Sequence, residues 1–205
     1  NGQRQSVAVA YVVSGSTYGF KVGAYDPSRE LVIDPLLGST YLGGSGASDI
    51  ESAYDIAVDS SGKIFVAGGT DSANFPATDS SALQGTTDGF IAKFNSDLSE
   101  LEAAAFIGGD GWDQANSLVL HNNKVVVVGQ ATSSDFPTTS GAYSRTLTGG
   151  VDTFISILDN NLSNLEASTL IGGTGSDQDP DLAVSENGTV YVAILCYSGD
   201  FPMAG

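Results

Sequence analysis

The sequence predicts an all-β protein: β-propeller-type, four-stranded blades, about two and a half repeats of them, preceded by an N-terminal β-hairpin. One observation is a recurring phrase. STYLGGSG at residues 39–46 returns as AAFIGGDG at 104–111 and as STLIGGTG at 168–175, so that Leu42, Ile107 and Ile171 stand 65 and 64 residues apart. A second is the text between the phrases, short apolar or alternating runs bounded by Gly, Ser and Asn turns, with no 3.6-residue periodicity of useful length. Fixed-period units of four short strands are what a propeller requires, because each blade buries its faces only against its neighbours. A β-helix is the competing architecture, but its coils are far shorter than these units.

The chain divides into a lead-in, residues 1–35, and a repeat region, residues 36–205, made of 39–103, 104–167 and a partial 168–205. In the lead-in, Val7, Val9, Tyr11 and Val13 alternate, as do Tyr18, Phe20 and Val22, with SGST between them, which predicts a hairpin. A short strand, LVI at 31–33, follows the turn YDPSRE. The first repeat then reads as strands at 55–58, 63–68, 89–94 and 101–107. The second copies them at 117–120, 124–129, 153–158 and 165–171. The third supplies 181–184 and 189–194 only. KVVVVG at 124–129 has no polar alternation, the signature of a strand covered on both faces.

Composition narrows the function classes. The 205 residues carry 24 acidic and 7 basic side chains, a formal net charge of −17. The resulting field repels phosphate backbones and anionic bilayers, so neither nucleic acid nor membrane insertion is expected. Only 15% of residues are charged, so the polar surface comes mainly from Ser, Thr, Asn, Gln and Gly, which suits secreted and surface proteins. With no initiator Met, no signal peptide and no apolar run near the roughly 20 residues of a membrane span, the chain reads as a processed or excised piece. Cys196, the single cysteine, lies in the apolar run VYVAILCY and is expected to be buried and inert. His121, the single histidine, falls in the turn HNNK, so no Ser/His/acid triad and no histidine metal cluster can form.

The phrases STYLGGSG, DIAVDSSGK, TDSANFP and TTDGFIAKF, recurring in order over roughly residues 36–205, resemble the bacterial and archaeal β-propeller repeat family called SBBP. The second unit keeps SSDFPTTSGAY and GGVDTFISIL but has SLVLHNN in place of DIAVDSSG, and the third keeps GDFP after CYSG. The resemblance implies an extracellular or cell-surface location in a bacterium or archaeon and a scaffold or interaction role. It implies no reaction, since one fold hosts many functions.

Several repeated residues invite a chemical role. Asp49, Asp113 and Asp177 each follow a Gly-rich turn, in GGSGASD, GGDGWD and GGTGSDQD, somewhat as in calcium-binding β-rolls. Glu51, Asp55, Asp110, Asp179 and Asp181 would add oxygens. The competing reading makes each Asp a cap for its own turn, and calcium is the one cofactor the pattern admits. Asp88 and Asp152 recur 64 residues apart. Recurrence argues for structural acceptors, since an active site gathers unlike groups at one point. The pairs Phe75-Pro76, Phe136-Pro137 and Phe201-Pro202 read as loop anchors. Trp112 either packs between blades or stacks on a sugar ring. Asn161 and Asn187 head glycosylation sequons.

The strand count bears on assembly. Residues 36–42 match the fourth strand of a blade whose first three strands are missing, while the third unit stops after two. Leu36 and Leu42 at one end, with Val190 and Val192 at the other, therefore mark strand edges that invite pairing with another chain. The expected function is a non-catalytic extracellular structural or adhesive module and, if the mature chain ends near Gly205, a homo-oligomer or filament in which N-terminal strands of one subunit complete the last blade of the next. A surface propeller that binds or cleaves carbohydrate is the alternative, with surface glycans as its partners.

Overall fold

The computed structural model describes residues 7–14, 17–29, 31, 38–46, 50–78 and 82–203. Residues 1–37 and 38–205 form two compact units. In the first, β1 (Val9–Ser14) and β2 (Thr17–Val22) make an antiparallel hairpin with Val9 opposite Val22 and Ser14 opposite Thr17. Leu31 lies outside any strand, and residues 32–33 of the expected LVI strand fall outside the described residues.

The second unit holds ten strands. β3 (Glu51–Val58), β4 (Ile64–Thr70), β5 (Asp88–Phe94) and β6 (Leu101–Ile107) form one four-stranded antiparallel sheet in chain order. β7 (Asp113–His121), β8 (Lys124–Ala131), β9 (Asp152–Asp159) and β10 (Leu165–Ile171) form a second. β11 (Asp177–Val184) and β12 (Val190–Cys196) begin a third. The protein is thus all-β with propeller-type blades. The inner strands β3, β7 and β11 begin four residues earlier than the alternation suggests, because each opens at the carboxylate that closes the preceding glycine turn.

Turn chemistry explains where strands reverse. Asn122 and Asn123 sit at φ 47° and 61°, the pair of left-handed residues that a two-residue hairpin needs, so β7 and β8 run continuously into HNNK. Leu98 and Leu162 occupy equivalent places in the β5–β6 and β9–β10 turns, at φ 61° and 59°. A left-handed leucine costs about 1–3 kcal/mol. Burial of the Leu162 side chain in the core returns about 1.5–3 kcal/mol, enough to hold the turn in that form.

Each inner strand carries a bulge that turns its outer half, between Ala53 and Asp55 in β3 and between Ala115 and Ser117 in β7. In β11 the interruption spans Gln178 to Asp181, one residue wider, with Asp179 at φ 50°. The difference matches a difference in β4, β8 and β12. Gly68 lies beneath the ring of Phe90 and Gly129 beneath that of Phe154, where a Cβ would collide with the ring and with the carbonyl of Ser52 or Gln114. The equivalent residue in β12 is Ile194, which the wider bulge leaves without a cross-strand partner on β11.

Two cores lie between blades. One joins Phe65, Ala67, Ile91 and Ile107 of the first blade to Leu118, Val125, Val127 and Leu170 of the second. Another joins Val126 and Val128 to Leu182, Val184, Val190 and Val192. β8 therefore buries both faces, as its unbroken valines predict. A third cluster sits on the other side of the first blade, where Phe75 packs on Phe90, Ala92 and Phe94. Lys93 of β5 crosses the junction between blades, donating to Asn160 Oδ1 at 2.6 Å.

One expected strand is corrected. Residues 38–42 form no strand, although 36–42 matches the fourth strand of a blade in sequence. A strand needs a ladder to join, and none of the described strands stands beside this segment as a third strand. Leu42 instead packs half-buried against the Phe75 cluster, and Leu36 lies outside the described residues.

Candidate functional site

Three features stand out once the blades are in place: a carboxylate lock at each glycine turn, a polar contact between inner strands, and a third sheet with two described strands.

In the second blade, Asp113 Oδ2 accepts from the Gly109 amide at 2.8 Å and from the Ser133 hydroxyl, while Oδ1 accepts from the Thr132 amide at 2.9 Å. In the third, Asp177 Oδ2 accepts from the Gly173 amide at 2.7 Å and the Ser198 hydroxyl at 2.6 Å. In the first, the acceptor is Glu51, reached by the Gly44 amide at 2.9 Å, by Thr70 Oγ1 at 3.1 Å and by the Ser72 hydroxyl. Glycine spacing aligns Asp49 with Asp113, but strand register aligns Glu51 with it, across a turn three residues longer. The longer Glu side chain spans that insertion. Asp49 lies outside the described residues.

These locks sit in separate blades, so Asp113 and Asp177 do not converge. Both oxygens of Asp113 and Oδ2 of Asp177 face amide and hydroxyl donors, and among the described residues no group of three or more His, Cys, Asp or Glu is placed to hold a metal ion. Burial pushes the Asp113 carboxyl up. Burial also acts on Asp177, but hydrogen bonds from Cys196, Ser198 and Gly173 outweigh it and hold that carboxyl below its ordinary range. Burial, with the nearby Asp113 charge, pushes Asp88 up to about 6 against the hydrogen bond from the Gln84 amide. Its other oxygen, Oδ1, is buried without a hydrogen-bond partner. Asp152 is raised in the same way and accepts from the Thr148 amide at 2.8 Å and the Gly149 amide at 3.2 Å. Asp88 and Asp152 are thus loop-ordering acceptors at equivalent places.

Where the inner strands meet, Ser117 Oγ contacts Asp55 Oδ2 at 3.0 Å and Asp181 Oδ1 at 2.9 Å. The Leu118 amide also donates to Asp55 Oδ2, at 2.8 Å. Asp55, Ser117 and Asp181 are equivalent residues of three successive units. The serine therefore separates two carboxylates.

The third sheet has two described strands, and among the described residues no strand pairs with the outer edge of β12. Beside that edge lies a groove lined by Val192, Ile194, Cys196, Ser198, Phe201 and Met203. Phe75 lies 4.6 Å from Phe90, and Phe136 lies 4.7 Å from Phe154, ring centroid to centroid. Phe201 holds the same place in the third unit, whose sheet has no third strand among the described residues. Cys196, expected to be buried, is exposed, since no described strand covers it. Its thiol is pushed up by the hydrogen bond it makes to Asp177.

Val190 and Val192, named as edge residues, point their side chains into the core shared with Val126 and Val128. The exposed large side chains of this strand are Tyr191 and Leu195, followed by Tyr197. β3 exposes Tyr54, Ile56 and Val58 on one of its faces. Alternation identifies both strands but leaves open which face a neighbour covers. Trp112 is half-buried at the turn between the blades, where its backbone bridges Thr87.

No curated protein matches the chain. Residues 1–36 match a domain of unknown function, DUF7948, which ends just before the second compact unit begins. Residues 38–76, holding the first glycine turn, Glu51 and the strands β3 and β4, carry the SBBP β-propeller repeat, whose phrases the two later units copy.

Proposed function

We propose that this chain is a non-catalytic, extracellular or cell-surface module of structural or adhesive type, and that it works through protein contacts at the β12 edge of its third sheet. The observation that carries this reading is the outer edge of β12, unpaired among the described residues, beside an apolar groove that includes Phe201. A backbone edge of this kind takes an added strand, whose main-chain hydrogen bonds supply affinity and whose side chains supply selectivity. Strand addition by a second molecule makes a homo-oligomer, and a filament if the rotation does not close. Residues 38–42 form no strand, so that segment does not supply the added strand, and β12 is the acceptor.

Ile194 sharpens the reading. In the complete blades the third strand sets Phe90 opposite Gly68 and Phe154 opposite Gly129. Ile194 fills that space, so the incoming strand needs a small residue there. A peptide of residues 152–159 with Phe154→Gly serves as surrogate, and it should slow amide exchange over residues 190–196 more than the unaltered peptide does. No protection by either peptide refutes edge addition. Binding to a soluble oligosaccharide array, with β12 unprotected, would put the carbohydrate reading in its place.

A further inference from the structure

Between the two four-stranded blades, three unlike polar side chains meet at one point. Lys93 of β5 is 8% exposed, and its ammonium stands 5.4 Å from the centroid of the Phe65 ring. Across the junction, on the turn after β9, Asn160 receives it: Lys93 Nζ donates to Asn160 Oδ1 at 2.6 Å and to the Asn160 main-chain carbonyl at 3.2 Å. A C=O bond adds about 1.2 Å, so Asn160 Cγ lies within about 3.8 Å of that nitrogen. Reacting atoms in a near-attack pair stand about 3–3.5 Å apart. Glu102 Oε2 is 4.0 Å from the same Nζ, while Glu102 Oε1 is held by Lys63.

Repetition separates this group from the structural carboxylates. Lys124 and Glu166 copy the Lys63–Glu102 ion pair in the second blade, so that pair belongs to the blade itself. Lys93 and Asn160 have no such copies. Counted from Asp88 and Asp152, Ile157 holds the place of Lys93 and Ser96 that of Asn160. Ile157 packs against Val126, Val128 and Leu182, so an aliphatic side chain serves this position where only packing is required. Burying an ammonium is costly unless a carboxylate pairs with it closely. Here the close contact is a neutral carboxamide, with the carboxylate set farther off.

We propose that Lys93 and Asn160 form an intramolecular isopeptide bond, a covalent cross-link between the two blades, with Glu102 as the proton carrier. Glu102 takes a proton from the Lys93 ammonium, and the freed Nζ lone pair attacks Asn160 Cγ. The Nζ–Cγ bond forms as the C=O electron pair moves to Oδ1, and its return breaks the Cγ–Nδ2 bond. Nζ gives up two protons in all, one by way of Glu102, and both leave on the departing nitrogen as an ammonium ion. Glu102 ends as the carboxylate it began, and the step needs no oxidant or reductant. The link ties β5 to the β9–β10 turn and holds under reducing conditions, in a chain whose single cysteine makes no internal disulfide. It is independent of the β12 edge.

Intact mass spectrometry of the 205-residue chain, fresh and after prolonged incubation of the folded protein at neutral pH, tests the proposal. The wild type should weigh less than its sequence by one ammonia molecule. Trypsin should then leave Lys93 uncut and release a branched product, residues 64–124 joined to residues 146–205, with fragmentation placing the link at Lys93 and Asn160. Lys93→Met and Asn160→Ala should each keep the full sequence mass, with circular dichroism reporting that they fold. Glu102→Gln should form the link about a hundredfold more slowly, the size of a lost proton-transfer group. The branched product is read on the wild type, so a variant that fails to fold leaves the decision intact. A folded wild type that keeps its full mass, an ammonia loss that persists in Lys93→Met, or a link that forms as fast in Glu102→Gln overturns it. Peptide protection of β12 does not depend on these outcomes, so failure here leaves the edge reading standing.

Discussion

At the residue scale, the carboxylates divide by what surrounds them. Asp177 and Glu51 are held below their ordinary ranges, in both cases against burial. Asp177 is held by Cys196, Ser198 and the Gly173 amide, and Glu51 by Ser72, the Gly44 amide and Thr70. Their stabilisation is present at neutral pH and is lost as pH falls through the acid range below about 4. Asp88 titrates near 6 in the fold, above its unfolded value, so between about 4 and 6 the folded state binds more protons than the unfolded one. Stability should therefore rise as pH falls from 7 towards 5, then drop below about 4. The Asp88 contribution is worth up to about 3 kcal/mol, at about 1.4 kcal/mol per unit of displacement. Asp88→Asn should match or exceed the wild-type melting temperature at pH 7 and flatten the rise between 7 and 5. A wild-type melting temperature that is level or falls over that range would show that the Asp88 carboxyl is not held high.

At the element scale, β8 is the strand on which both internal junctions depend. Val125 and Val127 face the first blade and Val126 and Val128 face the third sheet, all of them buried. Val126→Ala should loosen the junction to β11 and β12, and Val127→Ala the junction to the first blade. Each should cost about 1–3 kcal/mol, from lost burial plus the cavity left behind. Chemical denaturation reads the cost, and a change under about 0.5 kcal/mol for both would show that β8 is not the central strand. β12 is the contrasting element. It shares the valine pattern but has one covered face, so Tyr191 and Leu195 take the place of buried residues.

At the scale of the whole molecule, charge and repetition act together. The net charge of −17 raises the threshold for non-specific association through mutual repulsion. The calcium reading belongs to this scale too. The oxygens of Asp113, and Oδ2 of Asp177, accept from amide and hydroxyl donors, which an ion would have to displace. The melting temperature should accordingly be the same in EDTA and in millimolar calcium. A rise with calcium would mean binding to the folded state by mass action and would restore the metal role.

The sequence by itself determined the strand inventory, because a two-residue side-chain period and Gly, Asn and Ser turns are local properties of the chain. β6 and β10 have the bounds their alternation implies, and the Phe-Pro anchors at Phe75 and Phe136 stack as their recurrence suggests. Tertiary structure decided what depends on neighbours. It replaced Asp49 with Glu51 in the turn lock, since hydrogen-bond register rather than glycine spacing fixes which side chain reaches the amide. It turned Val190 and Val192 inward and Tyr191 outward, since alternation defines two faces but only packing chooses the covered one. It left 38–42 unpaired and Cys196 exposed, since a strand pattern becomes a covered strand only where a partner strand lies beside it.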